Sequence, residues 1–279
     1  MPQESTPVLK FDHVMVSFED NWALSDVSFE TFEGESRVIL GAAGSGKTVL
    51  LKTALGLIRP DSGKVSAFGQ DITKMREREL FDVRSRIGML FQEGALFDSM
   101  TIEENVAYPL LNQKSIQCPP DEVHHRVVQA LEFVELGGTL EKFPSELSGG
   151  MRRRAGIARA VVTEPPLVLY DSPTAGLDPI TAHTIMALLI KERDVTHTTA
   201  LVVTHRYQDG NVMANFRYNP EKGALEPAHN GTGPKARTVF MVMREGRLIF
   251  EGSQDQLEAS RDPYICKFVK QREGHGGSH

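Results

Sequence analysis

The sequence predicts an α/β fold organised around a largely parallel sheet. Three observations predict it. Short strand-like runs alternate with helical patterns through the middle of the chain. The apolar run 38–40 leads straight into a glycine-rich turn and then into a helix. The runs 167–170 and 200–204 are apolar along their length, as strands covered on both faces are, and a helix over 179–193 lies between them.

Each element follows in order. The runs 8–11, 14–18 and 27–32 alternate apolar and polar residues and carry β-branched and aromatic types, so they read as strands with one wet face. After 38–40, a helical pattern over 49–58 stops at Arg59-Pro60-Asp61-Ser62-Gly63. Residues 64–68 read as a further strand. From 71 to 163 the pattern is mostly helical, broken at Cys118-Pro119-Pro120. The stretch 208–237 is rich in Asn, Pro and Gly and reads as an inserted loop or hairpin. Strands over 239–242 and 247–250 flank a Glu245-Gly246 turn. A last helix near 263–271 runs into a Gly/His/Ser tail, 272–279, expected to be disordered. No internal repeat is found.

Composition sets the limits. The 279 residues suffice for one large domain or two closely joined subdomains, and 40% hydrophobic with 24% charged residues is ordinary for a soluble globular chain. A net charge of −6 gives no general reason to expect nucleic acid. Cys118 and Cys266 are far apart and have no metal-type spacing, so a reduced compartment is expected. Residues 1–7 contain no apolar core of a secretory signal. No uncharged apolar run reaches the roughly 18–20 residues of a membrane span, so service at a membrane would be peripheral.

Gly41-Ala42-Ala43-Gly44-Ser45-Gly46-Lys47-Thr48 lies between strand and helix and fits the P-loop pattern. Glycines let the backbone wrap so that its N–H groups face phosphates, and the helix N-terminus adds partial positive charge. Lys47 can reach the β- and γ-phosphates, and the Thr48 hydroxyl can ligate Mg²⁺. The competing reading is a glycine-rich turn followed by a chance Lys-Thr. By itself the motif specifies a P-loop NTPase.

A second motif narrows this. Leu147-Ser148-Gly149-Gly150-Met151 resembles the signature of the ABC ATPases, Leu-Ser-Gly-Gly-Gln, with Met151 in place of Gln. Taken alone, Ser-Gly-Gly is an ordinary N-cap and turn. Further segments resemble that family in its own order: Phe91-Gln92-Glu93 its Q-loop, Leu167-Val168-Leu169-Tyr170-Asp171 its Walker B strand, Ala175-Gly176-Leu177-Asp178 its D-loop, and Thr204-His205 its switch histidine. Phe18 stands where the family places an aromatic that stacks on adenine. Trp22 competes for that role but is expected to pack in the core. The arginine run Arg152-Arg153-Arg154 is expected to form a solvated helix face.

The resemblance implies a single ABC ATPase domain over 1–279: a RecA-like P-loop core, an antiparallel β-subdomain and a helical subdomain at about 75–163. It implies ATP held by Phe18, Gly41 through Val49, Gln92, Asp171 and His205. Ser148, Gly149 and Gly150 would act on the nucleotide of a second ATPase subunit in a head-to-tail dimer. It implies Mg²⁺ held through Thr48, Gln92 and Asp171, and catalysis by Lys47, Gln92 and His205.

One departure stands out chemically. The family's water-polarising Glu is replaced by Ser172, whose hydroxyl is too weak a base at neutral pH to substitute for it, although it could orient water. Three readings are open at this position: slow hydrolysis through His205 and backbone groups, pairing with a competent second ATPase, or an engineered change that traps ATP.

The branch is indicated by the Gly94-Ala95-Leu96-Phe97 run, by Glu104-Asn105-Val106-Ala107-Tyr108-Pro109-Leu110 and by Met151. These are similar to Mce/Mla-type ATPases, which power lipid and phospholipid transport across bacterial envelopes. That branch implies membrane permease subunits docked on the helical subdomain, an Mce-type substrate-binding protein in the same complex, no nucleic acid, and a peripheral place on the cytoplasmic face of the inner membrane. Ala95, Leu96 and Phe97 are candidates to line the docking groove, or else simply to pack that subdomain. The alternatives are a nucleotide-gated regulatory subunit without useful turnover and a soluble ABC protein outside transport.

Overall fold

The break between the runs 8–11 and 14–18 is a bulge. In the computed structural model, which describes residues 6–19, 21–113, 115–228 and 237–270, both runs belong to one strand, β1 (Leu9–Phe18). His13, at φ 51°, takes up an extra residue there. The insertion flips side-chain parity, so Leu9 and Phe11 are buried and then Val14 and Val16. β1 lies between β2 (Asn21–Thr31) and β4 (Ser62–Ala67), and β4 pairs in turn with β5 (Gln70–Asp71), making an antiparallel sheet in the order β2-β1-β4-β5.

The larger sheet has the order β12-β11-β3-β8-β7-β6. Its strands are β3 (Ser36–Leu40), β6 (Ile87–Leu90), β7 (Leu167–Asp171), β8 (Thr199–Thr204), β11 (Thr238–Arg244) and β12 (Arg247–Gly252). All neighbours are parallel except β11 and β12. Every residue of β3, β7 and β8 is buried, which is why these segments are apolar throughout rather than alternating. Register aligns their carboxyl ends. Leu40 is level with Thr204, and Asp171 with Val203. Gly41, Ser172 and His205 therefore leave the sheet along one rim, the usual place for ligands in a parallel sheet.

Two apolar cores flank this sheet. One joins its Ile39, Leu169, Leu201 and Val203 face to the antiparallel sheet, to α1 (Lys47–Ala54) and to Leu80 and Val83 of α2 (Glu77–Arg84). The other joins the Val38, Val168 and Val202 face to α3 (Ile102–Asn112), α4 (Pro120–Phe133), α5 (Gly149–Val161) and α6 (Pro179–Thr196). Local chemistry starts these helices. Thr101 and Glu104 form a capping box for α3. Pro120 opens α4 at its first turn, so the proline break is a helix start. Asp178 accepts the N–H groups of Ile180 and Thr181 to cap α6.

The structure corrects several expectations. Within 75–163 the helical reading omits β6, a four-residue strand at the edge of the large sheet. Its four residues, Ile-Gly-Met-Leu, are too few to show a period, and its strand state rests on pairing with β7. Within 208–237 the reading omits α7 (Tyr207–Asn215). A parallel sheet needs a crossover between β8 and β11, and a helix is the usual means. Gly210 lets α7 approach closely, since a Cβ there would lie 2.5 Å from Phe240 Cε1. The same glycine and two asparagines lower helix propensity and hid the element. A two-stranded sheet, β9 (Phe216–Asn219) with β10 (Ala224–Pro227), follows. The chain ends in α8 (Gln254–Glu258) and α9 (Pro263–Lys270). The tail 272–279 lies outside the described residues. No described helix is long and apolar enough to cross a membrane.

Candidate functional site

The loop Gly41–Thr48 leaves β3 and enters α1 at Lys47. Gly44 has φ +75° and Gly46 φ +101°, a left-handed backbone that side chains disfavour. At Gly46 a Cβ would also stand 2.3 Å from Ala23 O, so only glycine fits. The turn between β11 and β12 braces the loop, because Gly246 N donates to Ser45 O at 3.1 Å. Lys47 is buried. Its ammonium donates to Gly41 O at 2.8 Å, Ala42 O at 2.7 Å and Ser45 Oγ at 3.2 Å. Burial pushes its pKa below the ordinary lysine range, and the Asp171 carboxylate opposes that shift.

Asp171 ends β7, buried beside this loop. Its Oδ2 accepts from Thr48 Oγ1 at 2.9 Å and its Oδ1 from Ser172 Oγ at 3.1 Å. The fold thus unites Thr48, Asp171 and Ser172. Ser172 has φ +50°, while its N–H donates to Val203 O at 2.9 Å. A non-glycine residue in this region is strained and is held by its surroundings. Among the described residues no group of three His, Cys, Asp or Glu side chains forms a metal cluster. One carboxylate and one hydroxyl, both hard oxygen donors, fit Mg²⁺, which keeps several waters and takes phosphate oxygens as further ligands.

Other expected site residues make no described hydrogen bond to this centre. Gln92 begins a tight turn in which Glu93, Gly94 and Ala95 all have positive φ. Gly94 and Gly156 fit closely, a Cβ on Gly156 lying 2.9 Å from Gly94 Cα, so the turn is seated on α5. Gln92 and His205 are exposed. Ser148 caps α5 by accepting from Met151 N at 3.3 Å, and Gly150 faces Thr181 of α6. No described hydrogen bond joins Gln92, His205, Ser148, Gly149 or Gly150 to the Gly41–Thr48 loop. Phe18 and Trp22 lie at the turn end of the β1–β2 hairpin, 50% and 52% exposed. The expectation that Trp22 packs in the core is thus overturned. A register shift separates its pair with Ser17 from the buried Val16–Leu24 pair, so Trp22 does not share the face of Leu24.

The arginine run also departs from expectation. Arg153 is buried, donating to Ser172 O at 2.7 Å, Pro173 O at 3.0 Å and Ala175 O at 3.1 Å. Burial lowers its pKa, with Glu93 and Asp171 opposing. Arg159 likewise donates to Gly94 O and Ala95 O at 2.8 and 2.9 Å. These guanidiniums saturate loop carbonyls that no strand or helix could satisfy. Sequence reasoning also missed Asp209. This buried carboxylate accepts from Thr174 Oγ1 at 2.6 Å and Thr204 Oγ1 at 2.7 Å, tying the segment after β7 to the end of β8. Burial holds its carboxyl above the ordinary aspartate range, against the pull of both hydroxyls, Arg206 and His205. The signal available in sequence was an acid four residues after His205 in a helical stretch.

Ala95, Leu96 and Phe97 divide between the two roles weighed for them. Leu96 packs against the helical core. Phe97 is exposed, meets the Tyr108 ring at a tilt with centroids 4.9 Å apart, and lies under the Arg159 guanidinium at 5.6 Å. Leu111 extends this exposed apolar surface.

Comparison with known proteins places these features together. The family pattern described as "ABC transporter" matches residues 24–175. The intermembrane phospholipid transport system ATP-binding protein MlaF of Haemophilus influenzae is 33% identical over 251 residues, 90% of this chain and 86% of that protein. MlaF of Escherichia coli K12 is 34% identical over 244 residues, 88% of this chain and 81% of that protein. The probable ribonucleotide transport ATP-binding protein mkl of Mycobacterium leprae is 41% identical over 189 residues, 68% of this chain, which spans about half (54%) of that longer protein. The post-hydrolysis dimer of the ATP-binding cassette MJ0796, bound to ADP and Pi, is similar at 28% identity and TM-score 0.73, covering 88% of this chain and 98% of that one. The antiparallel sheet, the helical layer and the mixed central sheet described above are the architecture these cassettes share.

Proposed function

This chain belongs to the ABC transporter family as an ATP-binding subunit of the ATPase class, and from that premise we propose that it powers lipid transport across a bacterial envelope. The observation that carries the proposal is the MlaF likeness, which extends over 90% of the chain and so includes the exposed Phe97 surface as well as the nucleotide loop. Nothing observed favours a regulatory module without turnover or a soluble ABC protein.

In this reading the N–H groups of Gly44 through Val49 would hold the phosphates of ATP, at the positive end of α1. Lys47 would exchange the Gly41 and Ala42 carbonyls for β- and γ-phosphate oxygens, trading weak acceptors for charged ones. Thr48 and Asp171 would hold Mg²⁺ with Gln92, and the ion would neutralise phosphate charge when bound. Phe18 would stack on the adenine. Ser148, Gly149 and Gly150 would act on the nucleotide of a second, head-to-tail subunit. That role explains why they lie away from this chain's own loop.

Ser172 would hydrogen-bond the attacking water, with His205 and backbone groups supporting it. Phosphoryl transfer depends mostly on positioning and electrostatics, so turnover without a carboxylate at 172 is chemically consistent. The Phe97, Tyr108 and Leu111 surface would receive a membrane subunit on the cytoplasmic face of the inner membrane, in a complex that includes an Mce-type lipid-binding protein.

The test is transfer of a fluorescent phospholipid between vesicles by the chain assembled with its membrane subunits. ATP-dependent transfer that disappears in Lys47→Ala is the expected result. ATP hydrolysis without lipid transfer would remove the lipid assignment and leave the ATPase.

A further inference from the structure

Ahead of Gly44, the nucleotide loop is gripped by a side chain from far along the chain. Tyr264, in the first turn of α9, places its hydroxyl between the loop and β11. Tyr264 Oη accepts from Ala42 N at 3.1 Å and donates to Met243 O at 3.1 Å. Both roles of the hydroxyl are used, so its orientation is fixed. The ring is held as well. It meets Phe268 edge-on at 5.3 Å, and the Arg244 guanidinium lies over it at 5.4 Å. Ile265 and Phe268 of the same helix are buried, so α9 is anchored in the fold.

The residue that Tyr264 grips is also the one that holds the lysine. Ala42 gives its N–H to Tyr264 and its carbonyl to Lys47 Nζ at 2.7 Å. Met243 completes the clasp. Its carbonyl oxygen accepts the tyrosine's hydrogen bond and stands 2.7 Å from where a Cβ on Gly41 would lie. Gly41 is thus pressed against β11 while Ala42 is pinned from α9. The stretch of loop ahead of Gly44 has no helix or strand hydrogen bonds of its own. Its path depends on these contacts.

We infer that Tyr264 is a positioning residue of the nucleotide loop, through which α9 sets the affinity of this subunit for ATP. The inference rests on the reading of Gly41–Thr48 as the ATP-binding loop. Without the hydroxyl, Ala42 loses its N–H acceptor and the first half of the loop has more than one path. Binding must then order it, which weakens affinity without touching the reacting atoms.

The experiment uses the full chain, pure, with Mg²⁺ and a non-hydrolysable ATP analogue as probe. Equilibrium binding is measured for the native protein, Tyr264→Phe and Lys47→Ala, and steady-state phosphate release for the first two. Tyr264→Phe keeps the ring and its contacts with Phe268 and Arg244. The expected result is binding weakened about 3- to 10-fold, as the loss of one hydrogen bond implies. KM for ATP rises by the same factor, while kcat at saturating ATP stays within about twofold. Native affinity in Tyr264→Phe overturns the inference. So does a fall in kcat with KM unchanged, which marks general loosening of the fold. Lys47→Ala separates the two levels, because native affinity in that variant overturns the reading of the loop itself.

Discussion

The loop after β3 and the segment after β7 meet at the Thr48–Asp171 hydrogen bond, yet they are held by different means. From Gly44 onward the first is shaped by its own backbone, with Gly44 and Gly46 at positive φ, an α-helix continuing it and a neighbouring turn donating to Ser45 O. The second has one left-handed glycine, Gly176 at φ +72°, and otherwise leans on side chains from elsewhere. Ser172 sits strained at φ +50°, and the carbonyls of Ser172, Pro173 and Ala175 are taken by one guanidinium from α5. Thr174 is held by Asp209 from α7. A loop built by local backbone geometry is written in a short motif. A loop built by distant side chains is only as reliable as each of them.

The largest test of that difference is chemical. Ser172→Glu returns a carboxylate to the β7 segment without changing the anchors. General bases contribute roughly 10²- to 10⁴-fold, so steady-state phosphate release should rise on the order of 100-fold. No increase would mean that water is already activated from elsewhere in the site. On the other side of the comparison, Lys47→Ala removes the one buried cation of the β3 loop. Charge-assisted hydrogen bonds are worth about 1.5–3 kcal/mol each, so affinity for ATP should fall roughly 100-fold, read by equilibrium binding.

Arg153→Met tests the side-chain anchoring directly. It leaves three carbonyls without their donor, and the loss should be about 2–4 kcal/mol in urea unfolding. A loss below half a kilocalorie would show that water can replace the guanidinium and that the segment needs no anchor.

A smaller effect belongs to the aromatics. Phe18→Ala should weaken ATP binding about tenfold, since stacking on a base is worth roughly 1–3 kcal/mol. Trp22→Ala should change it by less than about twofold. The reverse pattern would give the adenine to Trp22.

The smallest concerns Asp209. Burial raises its carboxyl pKa in the folded state. Just above the ordinary aspartate range, the folded protein therefore keeps a proton that the unfolded chain has released. Stability from this group is fully present below that range and declines as pH rises through the folded value. Asp209→Asn keeps an acceptor for Thr174 and Thr204 and removes the titration. Its stability relative to the native protein should climb with pH across that window, read by urea unfolding at a series of pH values. A difference independent of pH would show that the carboxylate is not perturbed in the folded state.

The same contrast explains what was legible in advance. The Gly41–Thr48 loop, the Asp171 strand and the Ser148 cap were readable because each is a local pattern whose residue types fix the backbone. The strands β3, β7 and β8 were readable because complete burial makes them apolar throughout. β6 escaped because four residues carry no periodicity. α7 escaped because Gly210 suits the packing against Phe240, and with two asparagines it lowers helix propensity in isolation. Trp22 was misplaced because a large ring is usually buried, and only the end of a hairpin exposes it.

The sequence by itself determined the α/β class, the phosphate-binding loop, the order of its motifs and the missing carboxylate at 172, since all of these are properties of residues close together along the chain. Only the tertiary structure decided that Arg153 is an anchor and not a solvated face, that Asp209 joins two segments 30 residues apart (Thr174 and Thr204), and that Tyr264 reaches Ala42 across 222 positions. Hydrogen bonds between residues so distant leave no periodicity behind. They exist only once packing has removed water from the carbonyls, hydroxyls and N–H groups that must then find each other.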